Sequence, residues 1–269
     1  MTSYEGKAKV IHDMTAPGTE GQVRVVFKDD TTAGNGATRD SFTGKGTCCA
    51  AISAILFRSL SERGIANHYV ESDSANSFIA RKVDIVPVEV VVRNIAAGSI
   101  CRRTGLPKGT VFQRPIVETY YKDDELGDPL LNDDHIDALG LATEEDLMTM
   151  RQTARIVNDE LREIFSAIGL TLVDFKLEFG RADGRLLLAD EISPDTCRLW
   201  DGDRSLDKDV FRRGDGSPVS HYEEVLRRLT ESCNCAVVAG DGADGSANTY
   251  VVAETTAAAS APLTDERGA

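Results

Sequence analysis

Residues 172–201, LVDFKLEFGRADGRLLLADEISPDTCRLWD, begin in strict alternation: Val173, Phe175, Leu177 and Phe179 fall on one side of an extended chain, and Asp174, Lys176 and Glu178 on the other. One face belongs to a core and the other carries charge. RADGR at 181–185 reads as a turn in which Gly184 supplies a left-handed dihedral, and residues 186–189 return as an antiparallel partner. Any short loop brings Asp190 back beside Glu178 to within about one residue of register, on the side that also carries Lys176. Like charges facing one another destabilise a hairpin unless a cation lies between them. Two carboxylates with retained waters are a set that Mg²⁺ accepts beside a phosphate. An edge hairpin with a solvated polar face has the same alternation. The continuation favours the metal site, because Ser193-Pro194-Asp195 is a turn that delivers Arg198, Trp200 and Asp201 in one short loop beyond the carboxylate pair.

A chain of 269 residues with 41% hydrophobic and 28% charged residues has the composition of a globular protein with room for one large domain or two small ones. No apolar run approaches a membrane span, and the first residues, MTSYEGK, lack the apolar segment of a signal peptide, so the expectation is a cytoplasmic protein without membrane contact. A net charge of −14 argues against a nucleic-acid surface. Phosphate binding would need the basic residues concentrated locally. The six cysteines form no C-x-x-C pair and are expected to be reduced thiols. Cys197 lies in the charged loop without a histidine near it in sequence, so it reads as a bystander rather than a nucleophile.

Along the rest of the chain, YEGKAKVI at 4–11 followed by a strand at 23–27 suggests a hairpin whose glycine turn lets amides, Lys7 and Lys9 approach an anion, although a solvated basic edge would look alike. No Walker A pattern is present. KDDTTAGNGATRD at 28–40 predicts a mobile loop without regular structure, either a functional lid or a connector. Residues 45–63 have helical apolar spacing ended by Gly64, with a structural role only. Residues 88–94 form a β-branched strand of the buried type, yet Glu89 and Arg93 share one face of it, which points both into a cleft. Ala96-Ala97-Gly98-Ser99 is suited to holding a phosphate, or is a plain turn into a helix. Residues 118–131 read as a polar loop where a domain connection could fall. Residues 143–168 predict a helix capped by Thr143, with acids at its positive end and an apolar stripe through Leu147, Met150, Ala154, Val157, Leu161, Ile164 and Ile168. A short amphipathic helix follows at 221–229. Beyond residue 230 the composition shifts to small residues and acids, which predicts disorder over most of 233–269, with residues 250–252 available as an edge strand.

Taken together, YEGKAK, DDTTAGNGA, VPVEVVVRNIAAGS, VDFKLEFG and DEISPDTCRLWD resemble, in order and over some 230 residues, the SAICAR synthetase family. These are the purine-biosynthesis ligases that join L-aspartate to a carboxylated aminoimidazole ribotide (CAIR) with ATP. The tail from residue 231 has no counterpart in that pattern. The resemblance implies an α+β fold of two lobes, an N-terminal ATP-binding lobe at 1–85 similar to that of protein kinases and a C-terminal lobe at 86–230, with ATP in the groove between them. It also implies residue roles. Gly6, Lys7 and Lys9 match the phosphate-contacting hairpin, Val83 and Ile85 the adenine-binding linker, and Lys122 a ribose contact. Glu178 and Asp190 match the Mg²⁺ ligands. Glu89, Arg93, Ser99, Asp174, Lys176, Asp195 and Arg198 match positions around the ribotide, with Asp174, Lys176 and Arg198 the expected catalytic set. The loop at 31–40 with Lys45 matches a flap near the aspartate subsite. The partners so implied are CAIR and L-aspartate, and a homodimer is left open.

A carboxylate does not react with an amine until one of its oxygens becomes a leaving group, so the expected path is an acyl phosphate formed by in-line transfer from ATP and then attacked by the aspartate amine. A kinase-like phosphotransferase would share Lys7, Glu178 and Asp190 but would need a catalytic base such as the H-R-D aspartate, and that motif is absent. A non-catalytic acidic metal-binding protein would leave the arginines and the Gly-Ser turn unexplained.

Overall fold

The alternating stretch is the strand on which both halves of the molecule converge. The structure is a computed structural model that describes residues 3–33, 38–233, 237–239 and 250–252. In chain order, β1 (Ser3–Glu5), β2 (Lys9–Asp13) and β3 (Gln22–Phe27) are followed by β4 (Asp30–Ala33), β5 (Thr38–Ser41), helix α1 (Lys45–Glu62), β6 (Tyr69–Ser74) and β7 (Ser77–Arg81). Then come β8 (Asp84–Ile85), β9 (Val88–Ile95), α2 (Ser99–Thr104), β10 (Val111–Tyr121), β11 (Leu130–Leu131), α3 (Asp133–Ala138) and α4 (Glu144–Ala167). The chain continues through β12 (Thr171–Ala182), β13 (Arg185–Ala189), β14 (Cys197–Asp201), β15 (Arg204–Ser205), α5 (Asp209–Arg212), α6 (Val219–Cys233), β16 (Val237–Ala239) and β17 (Tyr250–Val252).

Two antiparallel sheets carry the fold. The first runs β1-β2-β3-β7-β6; the second runs β11-β10-β9-β12-β14-β15, with β13 and β8 also paired to β12. The length of β12 explains its central place. Its first half lies between β9 and β14, and its second half pairs with β13 and β8. In the hairpin Glu178 faces Ala189, so Asp190 follows within the one residue of register expected; alternation alone would put Ala189 on the face of Glu178, and Asp190 leaves the strand conformation with φ of 64°. Asp183 and Gly184 turn the corner with φ of 50° and 72°, a pair of left-handed residues whose twist suits a two-residue hairpin.

The periodic helices form where expected. Thr143 and Asp146 make a capping box at the start of α4, and Leu147, Met150, Ala154, Val157, Leu161 and Phe165 are buried against β12 and β9. Each large apolar side chain so placed contributes about 1.5–3 kcal/mol. Helix α1 is buried around most of its circumference, because the first sheet lies on one side and α6 on another. Tyr222, Val225, Leu226 and Leu229 of α6 face that interface, and the helix is longer at both ends than the 221–229 expected.

Other expectations are corrected. The stretch 28–40, expected to lack regular structure, contributes β4 and β5, which pair antiparallel from Asp30↔Ser41 to Ala33↔Thr38; its residues 34–37 lie outside the described residues. Residues 118–121, expected in a loop, are the end of β10; there Glu118 and Tyr120 lie opposite Val91 and Glu89, inside the second sheet rather than between domains. Pairing to β9 overrode the turn-forming composition that follows. Tyr250–Val252 is the strand the sequence allowed for, but it pairs antiparallel with Val237–Ala239 in a separate two-stranded sheet, and the rest of the segment from 234 onward lies outside the described residues.

Candidate active site

Strand register assembles a charged row from residues far apart in sequence. Asp174 of β12 sits directly opposite Arg93 of β9 on one side and Arg198 of β14 on the other. Residues directly opposite in antiparallel strands share a face, so the three project together. Asp174 Oδ2 accepts from Arg93 Nη1 at 2.9 Å, and its two oxygens accept from Arg198 Nη1 at 3.0 and 2.8 Å. Arg93 also donates to Glu118 at 2.6 Å, Ser99 Oγ at 3.1 Å and Tyr120 OH at 3.2 Å. Arg198 Nε donates to Asp209 at 2.8 Å. Two guanidiniums thus bracket one carboxylate and end beside the turn at Gly98-Ser99, an arrangement that can grip a phosphate from two sides.

Gly98 is required there. Its φ of 62° and ψ of −125° suit glycine, and a Cβ would stand 2.6 Å from Arg198 Nη2. The guanidinium lies flat against bare backbone.

A second group occupies the other end of β12. Lys176 Nζ lies 2.6 Å from both Glu89 and Glu178, and Lys122 Nζ is 2.9 Å from Glu178. Lys9 reaches across from the first sheet to Asp190 at 2.6 Å and Glu191 at 2.7 Å. Burial would lower the Lys9 and Lys176 ammoniums, but the carboxylates outweigh it and hold both above the ordinary lysine range. Asp190 is the converse. Burial would raise its carboxyl, yet Lys9 and Lys176 hold it well below the usual value. Burial raises Glu89 despite Lys176. The two ammoniums and the Asp190 carboxylate are thus held charged.

Glu178 and Asp190 are the two carboxylates that the hairpin was expected to bring together, and among the described residues no set of three His, Cys, Asp or Glu side chains forms a ligand cluster. Carboxylates held by lysines that a phosphate could take over have the donor chemistry of a Mg²⁺ site, since that ion takes one or two carboxylates and keeps the rest of its shell for phosphate and water.

The remaining sequence-derived candidates have the following positions. Gly6 turns the β1–β2 hairpin, its amide donating to the Lys9 carbonyl at 2.8 Å, and Lys7 meets Asp124 at 2.6 Å. Val83 and Ile85 belong to the linker docked on β12, where Ile85 pairs with Gly180 and is 40% exposed. Lys45 and Asp195 are not open to solvent. They form a buried ion pair at 2.8 Å, with Lys45 also donating to the Asp30 carbonyl at 2.8 Å and Tyr222 OH to Asp195 at 2.6 Å. Helix α1, read as structural only, therefore also joins the β4–β5 hairpin to the loop after β13. Burial drives the Cys197 thiol above its ordinary range, in keeping with a bystander.

Sequence reading missed four participants. Glu191, beside Asp190, holds Lys9, and its place in a D-E pair was a usable signal. Glu118 and Asp209 orient the arginines, and only strand order and the α5 turn reveal them. His68, whose Nε2 lies 3.2 Å from the Asp190 carbonyl oxygen, has no signal at all in its own stretch.

The sequence model of SAICAR synthetase matches residues 2–229. The phosphoribosylaminoimidazole-succinocarboxamide synthase of Brevibacillus brevis is 53% identical over 229 residues, 84% of this chain and 95% of that one. The Bacillus subtilis protein of the same name is 50% identical, covering 84% and 94%. Among solved structures, a SAICAR synthetase in complex with ADP superposes with a TM-score of 0.82 at 44% identity, covering 86% of this chain and 98% of that one. The corresponding synthase from Ehrlichia chaffeensis gives 0.81 at 40% identity, covering 84% and 97%.

Proposed function

The chain belongs to the SAICAR synthetase family, and from that membership we infer how its residues divide the work of the reaction. The reaction is the ATP-dependent ligation of CAIR to L-aspartate in purine biosynthesis. We propose a nucleotide site at the Lys9–Asp190 and Lys122–Glu178 end of β12, flanked by the Gly6-Lys7 turn and the linker at Val83 and Ile85. The ribotide site is at the Arg93–Asp174–Arg198 end. The observation that carries this division is that one strand holds Asp174 of the first cluster and Glu178 of the second, with Lys176 between them. The two sheets, at 3–81 and 84–205, support two lobes meeting near residue 85.

In this reading Arg93, Ser99 and Arg198 hold the ribotide phosphate, which places the imidazole carboxylate near Lys176. A CAIR carboxylate oxygen attacks the γ-phosphorus in line, the bond to the bridging oxygen breaks, and ADP leaves. Lys9, Lys122 and Lys176 stand where negative charge spreads during that transfer. The aspartate amine then attacks the acyl carbon, phosphate departs with its oxygen, and the amine proton passes to solvent or to phosphate. Glu178 and Asp190 are the residues that would hold Mg²⁺, which when bound offsets charge on the transferring phosphoryl group. Lys45, paired to Asp195, anchors the β4–β5 hairpin that would lie over the aspartate subsite. Most of the protein's contribution is positioning two anionic substrates beside a nucleotide. A cytoplasmic location, as expected from the sequence, goes with this reading.

A coupled assay of ADP release with each substrate omitted in turn tests the reaction. ADP should form at the full rate only with ATP, CAIR and aspartate together. Equal ADP release without CAIR would overturn the acyl-phosphate route.

A further inference from the structure

We infer that His68 is a positioning residue that fixes the main chain of Asp190 from the opposite sheet; this rests on the assignment of Asp190 to the nucleotide and metal site. Three observations point the same way. Residues 66–68 run along the free edge of β13, with Leu188 N donating to the Ala66 carbonyl at 3.1 Å and His68 N donating to the Leu188 carbonyl at 2.9 Å. Asn67 and Leu188 form a parallel bridge, so a stretch that leads from α1 into the first sheet is stitched to the hairpin of the second.

Immediately beyond, Asp190 adopts φ of 64°, one of three non-glycine residues with positive φ among the described residues. An L-residue in that region is disfavoured by roughly 1–2 kcal/mol, so surrounding contacts must hold it there. His68 Nε2 lies 3.2 Å from the Asp190 carbonyl oxygen. A carbonyl can only accept, so Nε2 carries the proton and donates. The carboxylate on the same residue is held by Lys9, and the two contacts together fix both ends of the residue.

The ring itself has little freedom. His68 is buried, with Phe57 at 5.3 Å and Phe78 at 5.7 Å between centroids, both edge-on. A phenylalanine would fill such a position as well. What a phenylalanine lacks is the donor, aimed at the one backbone carbonyl whose placement sets where the Asp190 carboxylate points.

The test uses His68→Phe, which keeps a ring and loses the donor, and His68→Gln, which restores an N–H at similar reach, with Asp190→Asn alongside. The readouts are the Mg²⁺ concentration for half-maximal turnover and, by calorimetry, the gain in affinity for a non-hydrolysable ATP analogue when Mg²⁺ is added. His68→Phe should raise the first and shrink the second by roughly three- to tenfold, the change that one net hydrogen bond carries. The KM for CAIR should stay within about twofold and His68→Gln should recover most of the loss. If His68→Phe does not fold, His68→Met takes its place. Wild-type Mg²⁺ dependence in the donor-free variant, or no recovery in His68→Gln, overturns the role of His68 while Asp190→Asn remains impaired. If Asp190→Asn is itself unaffected by Mg²⁺ concentration, the metal assignment fails and this inference falls with it.

Discussion

Replacing Gly98 by alanine should damage ribotide handling while sparing the nucleotide site. The backbone at Gly98, with φ of 62° and ψ of −125°, is open to glycine and strained for alanine by about 1–3 kcal/mol. The new methyl would stand 2.6 Å from Nη2, 3.0 Å from Cζ and 3.1 Å from Nη1 of Arg198, so the guanidinium must retreat. It is tied to Asp174 at 2.8 and 3.0 Å and to Asp209 at 2.8 Å, and retreat breaks that geometry. A charge-assisted hydrogen bond lost to the substrate weakens transition-state binding by about 1.5–3 kcal/mol. The kcat/KM for CAIR should therefore fall roughly 10- to 100-fold. Backbone strain should lower the melting temperature by roughly 2–12 °C for a chain of this size. The assay varies CAIR at saturating ATP and aspartate, with calorimetric titration of an ATP analogue as the control. Wild-type kcat/KM for CAIR would show that the position of the Arg198 guanidinium does not matter to the reaction. Loss of analogue affinity with CAIR unaffected would put the two phosphate sites the wrong way round.

Three further outcomes are expected. Glu178→Gln should reduce Mg²⁺-dependent turnover by roughly a hundredfold in a protein that still folds, with some loss of stability because the buried carboxylate pairs with Lys122 and Lys176, and near-normal activity at limiting Mg²⁺ would remove Glu178 from the metal site. Arg198→Lys should raise the apparent KM for CAIR about tenfold because an ammonium cannot reproduce the two-pronged grip, while ATP analogue binding measured without ribotide stays close to wild type. The third concerns acid stability. Burial would raise the Asp195 carboxyl, but Lys208 and Lys45 hold it below the usual range. Its folded value lies below the unfolded value of about 3.9, so the unfolded chain binds the proton more readily, and the pair's contribution is full above that value and lost as pH falls through the lower folded one. Asp195→Asn, which strands the buried Lys45, should cost about 3–5 kcal/mol at pH 7 and show a flatter loss of stability below about pH 4 in urea titrations. Parallel profiles for the two proteins would exclude the pair as a source of acid sensitivity.

Much of this protein is legible in local chemistry alone. Strict alternation at 173–179 and an Asp-Gly turn are sufficient to specify a hairpin, and hairpin geometry by itself brings Asp190 next to the residue facing Glu178. The same holds for α4, where a capping residue, acids in the first turn and a 3.6-residue stripe act within one segment. The motifs that carry the family resemblance are likewise contiguous runs. Such features depend on interactions between residues a few positions apart, which the order of amino acids specifies directly.

What tertiary structure alone decided is who faces whom across the sheet. Arg93, Asp174 and Arg198 form one row only because β12 is inserted between β9 and β14, and nothing within those three strands names their neighbours. The hairpin at 30–41 and the last residues of β10 looked like loops because their composition is polar, and pairing partners overrode it. Lys45, on a helix with no apparent chemistry, found Asp195 in a distant loop, and His68 found the carbonyl of Asp190 across 122 residues. A buried charge or donor must be satisfied by whatever the packing brings within about 3 Å. Packing is a property of the whole chain, so the partner of each such group appears only when the sheets and helices are assembled.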